Sequence, residues 1–212
     1  MTESVPGSTF EAAYAEGSPP WVIDAPQPAI VELERRGGIR GRVLEPGCGT
    51  GEHVLHLAAL GYDVLGVDLV PAAVELARDG ARRRGIEARF EVADALRLPA
   101  ELDDRPFDTV VDSALFHIFG DVERAAYVRN LHAVCRPGAA VHVLALADTG
   151  PGFGPEVGEP VLREAFGAGW RLVELRPSSY RGVARGESAE AFGVAPGTLV
   201  DPPAWLATAV RL

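Results

Sequence analysis

Between residues 42 and 148 the chain alternates strand-like runs with longer stretches patterned for helices. "GRVLEPG", "YDVLGVD", "EARFEVAD", "PFDTVVDSAL" and "AAVHVLALAD" read as strands. Between them, "EHVLHLAALG" reads as a helix stopped by Gly61, and "PAAVELARDGARRRG" as one opened by Pro71 and closed by Gly85. A third helix runs from about Asp121, a good N-cap, to the "RPG" at 136–138. Further on, "EPVLREAFGAG" is a short helix, and "WRLVELRPSSY" and "AWLATAVRL" are a sixth and a seventh strand, the last expected at a sheet edge. Apolar strands separated by helices need cover on both faces, which selects a mostly parallel, doubly wound α/β sheet. In such sheets ligands bind beyond the carboxyl ends of the strands. Those ends carry Glu45-Pro46-Gly47, Asp68, Asp94, Asp112 and Asp148.

A length of 212 residues, 47% of them hydrophobic, is enough for one domain with a full core. Residues 1–41 are expected to form a lid segment, 42–148 the ligand-binding core, and 149–212 loops and closing strands on the substrate side. No apolar run is long enough to span a bilayer, and the first twenty residues lack the basic start and apolar stretch of a secretory signal. The expected location is therefore the cytoplasm, with no membrane partner. The net charge is −10, and the twenty basic residues are all arginine. An acidic chain is a poor match for nucleic acid, whose binding rests on phosphate contacts. The one basic run, Arg82 to Arg84, ends a predicted helix, where cations meet the negative end of the dipole. Cys48 and Cys135 have neither CxxC nor metal-ligand spacing, and no metal is expected.

"EPGCGTGEH", residues 45–53, places Gly47, Gly49 and Gly51 in a tight turn from strand to helix. A dinucleotide fingerprint beginning at Gly47 would need glycine at 52, where the chain has Glu52. A Walker A loop would need the lysine that the chain lacks. Asp68, nineteen residues after Gly49 and at the end of the next strand, suits the two hydroxyls of a ribose. Asp94-Ala95, after the third strand, suits an adenine amino group. Each acid could instead cap a turn; their grouping on successive strand ends points to a nucleoside.

With these residues in view, the sequence resembles the class I S-adenosylmethionine-dependent methyltransferases. "VLEPGCGTG" is similar to their first motif, "VLGVDL" to the second, "VADAL" to the third and "FDTVVDSALFHIF" to the fourth. The resemblance implies a seven-stranded sheet with a reversed last strand, and S-adenosyl-L-methionine as cofactor. It implies a cofactor site made by Trp21, Glu45, Gly47, Gly49, Gly51, Asp68, Leu69, Asp94, Ala95 and Asp112. "PPWVIDAPQPAI" at 19–30 also resembles the "P-W-x-x-G-x-P-x-P" segment of the thiopurine, thiol and halide methyltransferase group, with Asp24-Ala25 where that group usually carries glycine. "FDTVVDSALFHIF" and "PPAWLATAVRL" are similar to bacterial heterocyclic-toxin methyltransferases, which act on oxygen of quinolone-like and phenolic compounds.

Methyl transfer from a sulfonium is a direct displacement, so alignment and desolvation are the protein's main tasks. Trp21 and Phe116 are candidates for an aromatic wall facing the positive charge. His117 is the candidate catalytic base for a hydroxyl acceptor, with Asp112 in support. His53, His56, His132 and His142 read as structural. Residues 10–30, 149–160 and 181–203, with Tyr180 immediately before the last, bring Phe10, Tyr14, Trp21, Phe153, Tyr180 and Phe192, a supply suited to a flat aromatic or heterocyclic acceptor. Oxygen leads as acceptor atom, then a thiol, then halide; a non-catalytic cofactor-binding sensor is the alternative of another class. A monomer or homodimer is expected.

Overall fold

The computed structural model describes residues 2–17, 19–103 and 105–212. Seven strands form one sheet: β1 (Arg42–Pro46), β2 (Asp63–Asp68), β3 (Arg89–Val92), β4 (Phe107–Ser113), β5 (Cys135–Leu146), β6 (Trp170–Ser179) and, at the end of the chain, β9 (Pro203–Arg211). Their order is β3-β2-β1-β4-β5-β9-β6. The pairings from β3 through β5 are parallel, and β9 runs antiparallel to both β5 and β6. The reversed last strand is as the resemblance implied, but its place is not at an edge. Ala204, Leu206, Ala207 and Ala209 of β9 are buried, on both of its faces, because β9 fills the gap between β5 and β6 and leaves β6 at the edge.

The strands are apolar on both faces because both are covered. Val43, Val64, Val111, Leu144 and Leu206 pack with Ile30 and Leu33 of α2 (Pro28–Arg35), Val54, Leu55 and Leu57 of α3 (Glu52–Ala59), and Val74 and Ala77 of α4 (Pro71–Arg84). Their strand neighbours Leu44, Leu65, Val110 and Val143 face the other way. That side holds Leu98 of α5 (Leu98–Glu101), Tyr127 and Leu131 of α6 (Asp121–Val134), and Leu162 of α7 (Glu159–Ala165). Helix α4 has Pro71 in its first turn and Gly85 at φ +63° beyond its end, as its sequence suggested. Its basic tail is an ion-paired surface: Arg84 makes two hydrogen bonds to Glu52, at 2.7 and 2.8 Å.

Two regions without alternating pattern have structure of their own. Residues 2–30 carry α1 (Gly7–Ala15) and the start of α2. Residues 181–203 form the hairpin of β7 (Gly182–Val183) and β8 (Leu199–Val200) around α8 (Gly186–Phe192), with a small core of Ala184, Ala189 and Val200. The two are joined by the bond from Val183 N–H to the Pro20 carbonyl at 2.8 Å.

Candidate active site

Strand order reverses between β1 and β4, and a cavity of about 410 Å³ opens beyond their carboxyl ends. Its floor is made by strand ends and the turns that follow them. Glu45, Gly47, Gly49, Asp68, Leu69, Asp94 and Ala95 all line it, together with Cys48, Thr50 and Ser113. Its roof comes from the N-terminal segment, through Phe10, Tyr14, Trp21, Ile23 and Gln27, and its far wall from Leu115, His117, Ile118, Phe119, Phe153 and Tyr180.

Two polar atoms of floor residues are buried without a hydrogen-bond partner: Glu45 Oε2 and Ser113 Oγ. Buried polar atoms are rarely left so. A carboxylate and a hydroxyl at adjoining strand ends are the acceptor set that an ammonium group needs. Gly47 and Gly49 have φ of +68° and +53°, a region that favours glycine, and a β-carbon at Gly49 would lie 2.7 Å from Tyr14 Oη. Asp68 accepts hydrogen bonds from the Gly49 and Val70 backbone N–H groups, both at 2.9 Å, and its carboxylate keeps lone pairs for a ribose. Burial raises its pKa above the usual carboxylate value despite those bonds. Leu69, half exposed at 51%, and Ala95 add apolar surface to the cavity lining. These features fit S-adenosylmethionine: Glu45 and Ser113 could receive its ammonium group, Asp68 its ribose, and Leu69, Asp94 and Ala95 its base.

Several expected site residues lie elsewhere. Gly51 does not line the cavity: its missing β-carbon, which would fall 2.6 Å from the Phe90 ring, lets α3 pack against α4 and β3. Asp112 is fully buried behind the wall. Its Oδ1 accepts from Leu115 and Phe116 N–H at 3.0 and 3.1 Å, and its Oδ2 from the Tyr127 hydroxyl at 2.7 Å. It caps the turn after β4, and desolvation raises its pKa to about 6. Phe116 faces the core, stacked on Phe166 at 5.9 Å with the Arg124 guanidinium 5.4 Å from its ring, so its cation is an arginine of this chain. Phe192 packs in the small core of the hairpin. Phe10, Tyr14, Trp21, Phe153 and Tyr180 do line the cavity.

His117 lines the cavity but is held differently from a base. Its Nδ1 accepts the Leu146 backbone N–H at 3.0 Å, so the neutral ring carries its proton on Nε2, the nitrogen left for the cavity. Desolvation, then the Arg124 charge, lowers its pKa to about 3. A ring whose lone pair is already engaged is a hydrogen-bond donor at neutral pH. The bend that brings it there passes through Ala114, at φ +70°, a strained conformation for a residue with a β-carbon.

His53, read from sequence as structural, belongs to the site. Its Nε2 accepts the Gln27 backbone N–H at 3.0 Å, so Nδ1–H donates to Glu45 Oε1 at 2.6 Å. Its place two residues beyond Gly51, on the first turn of the helix that follows the glycines, was the available signal. Ser113 was marked only by ending β4. Trp21 Nε1–H donates to Tyr14 Oη at 3.1 Å and its ring meets Phe10 edge-on at 5.7 Å, fixing the roof. Burial raises the Tyr14 pKa, so its hydroxyl stays protonated. Asp24 takes the left-handed φ of +54°, which explains why the similar group usually carries glycine there.

Among the described residues no helix is long and apolar enough to cross a membrane, and no three His, Cys, Asp or Glu side chains gather as a metal site would require. Comparison with known proteins agrees with the geometry. Residues 43–138 match the family model described as a methyltransferase domain. The chain is 35% identical over 192 residues to the 2-heptyl-1-hydroxyquinolin-4(1H)-one methyltransferase of Mycobacteroides abscessus, covering 84% of this chain and 82% of that protein. It is 28% identical over 145 residues to a probable thiol methyltransferase of Arabidopsis thaliana, covering 68% and 63%. A solved structure from work on the conversion of a disulfide bond into a thioacetal group during echinomycin biosynthesis superposes with a TM-score of 0.85 at 41% identity, covering 96% of this chain and 92% of that one. The strand order, the cradle beyond β1 and β4 and these relatives together place the chain in the S-adenosylmethionine-dependent methyltransferases.

Proposed function

We propose that this enzyme methylates a small, flat aromatic or heterocyclic acceptor at oxygen, of phenolic or quinolone-like type. The observation that carries the reading is the acceptor side of the cavity: Phe10, Trp21, Leu115, Ile118, Phe119 and Phe153 form an apolar wall interrupted by His117. Such a wall suits a ring, and one donor in it suits a ring oxygen. The hydroxyquinolone relative supports the same substrate class.

When bound, S-adenosylmethionine supplies an electrophilic methyl group on a sulfonium. Glu45 and Ser113 would hold its ammonium end, Asp68 the ribose, and Leu69, Asp94 and Ala95 the base. Trp21 and Phe10 close the roof and exclude water, which strengthens every electrostatic contact inside. His117 Nε2–H donates to the acceptor and fixes its ring against Phe153. With its lone pair on Leu146 N–H, His117 takes no proton from the acceptor. The preferred acceptor is therefore one that ionises by itself near neutral pH. Residues 1–41 act as lid, 42–148 as cofactor core and 149–212 as substrate side of one domain. The enzyme is cytoplasmic, acts on no nucleic acid, and works as a monomer or homodimer.

A second reading, methylation at sulfur, is favoured by the thioacetal-related structure at 41% identity. Methyl transfer to a panel of hydroxyquinolones, phenols, thiols, disulfides and iodide separates the two. Turnover of the hydroxyquinolone to an O-methyl product is expected; turnover confined to sulfur acceptors would replace the first reading by the second.

A further inference from the structure

One side chain, Gln27, joins three parts of the cavity. It is 2% exposed. Its amide spans to the substrate-side loop, donating to the Arg181 carbonyl at 2.8 Å and accepting Arg181 N–H at 2.7 Å. Its own backbone N–H donates to His53 Nε2 at 3.0 Å, and the same ring donates to Glu45 Oε1 at 2.6 Å. The far oxygen of Glu45 is the buried atom without a partner. A backbone N–H can only donate, so these bonds fix the ring's tautomer and direction together. A carboxylate held by one oxygen at so short a distance cannot rotate freely, which leaves Oε2 buried and without a partner in a residue of the cavity lining.

We propose that His53 is a positioning residue that couples seating of the N-terminal roof on the 180–183 loop to capture of the cofactor's amino group by Glu45. Closing the roof brings Gln27 N–H to the imidazole. The imidazole then presents Nδ1–H to Glu45, and the second carboxylate oxygen meets the ammonium. The coupling is reciprocal: cofactor bound at Glu45 favours the closed roof, and the closed roof shapes the acceptor wall at Tyr180. Acceptor binding is then tighter once cofactor is in place. The inference rests on the cofactor assignment for Glu45 and adds a route from that acid to the acceptor side.

Two substitutions separate the arms of the relay. His53→Asn puts an amide where Nδ1 stands, keeping the bond to Glu45 and losing the one to Gln27. His53→Gln reaches the place of Nε2, keeping Gln27 and releasing Glu45. Titration calorimetry with S-adenosylhomocysteine, and amide hydrogen exchange of residues 19–27 with and without it, read the two arms apart from turnover. His53→Gln is expected to bind about tenfold more weakly, since a charge-assisted hydrogen bond orders the receiving acid. His53→Asn is expected to bind within about threefold of the native protein and to lose the cofactor-induced protection of 19–27. Native-like binding by His53→Gln, or identical behaviour of the two variants in both readouts, would overturn the relay. Failure of the native protein to bind would instead overturn the cofactor assignment, and melting curves of both variants confirm that the fold is kept.

Discussion

The two halves of the cavity are built by different means. The floor is made of strand ends: Glu45, Asp68 and Ser113 stand in parallel ladders that fix them relative to one another, and Asp94 lies in the turn just beyond β3. The roof and far wall are made of segments remote in sequence and tied by one or two hydrogen bonds at each contact. Val5 N–H reaches the Ile118 carbonyl at 2.9 Å, Gly120 N–H reaches Ser4 Oγ at 2.7 Å, and Thr2 donates to Asp121 through its N–H and its hydroxyl. One half is preorganised by the sheet; the other is held by a few bonds between distant segments. Substitutions in the floor should therefore act on cofactor affinity, and those in the roof on acceptor use.

The largest effect is expected from Gly49→Val. A β-branched residue would stand in a left-handed conformation against Tyr14 Oη, and S-adenosylhomocysteine affinity should fall at least about 100-fold by calorimetry. An affinity within a few-fold would show that this turn is not the cofactor cradle. Asp112→Ala leaves two backbone N–H groups and the buried Tyr127 hydroxyl without their acceptor, and should cost about 3 kcal/mol by chemical denaturation. Lost turnover at unchanged stability would return Asp112 to a catalytic role. Trp21→Ala opens the roof and should raise the acceptor KM about tenfold, with a smaller change in cofactor affinity; the reverse pattern would move Trp21 to the cofactor half.

His117→Ala should lower kcat/KM roughly tenfold through loss of one donor, with partial recovery in His117→Gln. Because the ring stays neutral down to about pH 3, no limb of the pH–rate profile between pH 5 and 9 should belong to it. A limb removed by these substitutions would restore His117 as a base. The smallest effect concerns stability. Burial holds His117 near a pKa of about 3 and His142 near about 4, below the ordinary 6.5. As pH falls from 7 to 5, the unfolded chain takes up two protons there that the folded protein refuses, so stability decreases. Asp112, raised to about 6, works in the opposite direction, since the folded protein takes its proton first. One net proton leaves a loss of about 2 kcal/mol, or roughly 5 °C in Tm. A flat Tm over that range would contradict the buried neutral histidines.

The contrast between the halves also explains what the sequence could tell. Strands and flanking helices announce themselves by local periodicity, and the turn at 47–51 by glycine spacing, so the floor was legible. The interior place of β9 was not, because strand order is decided by which gap remains between β5 and β6. Asp112 and Phe116 lie next to cavity-lining neighbours, yet alternation along β4 and the short turn after it send their side chains into the core. His117 carried the right residue type for a base, but its lone pair is committed to Leu146, twenty-nine positions away. His53 was missed for the same reason: its role comes from Gln27, which no local pattern links to it.

The most direct test of a two-part cavity is one calorimetric experiment: saturation with S-adenosylhomocysteine, then titration of a hydroxyquinolone into the same cell. Tighter acceptor binding in the presence of cofactor product than in its absence is the expected result. Competition between the two, each displacing the other, would mean that floor and roof enclose a single shared site, and would contradict the account.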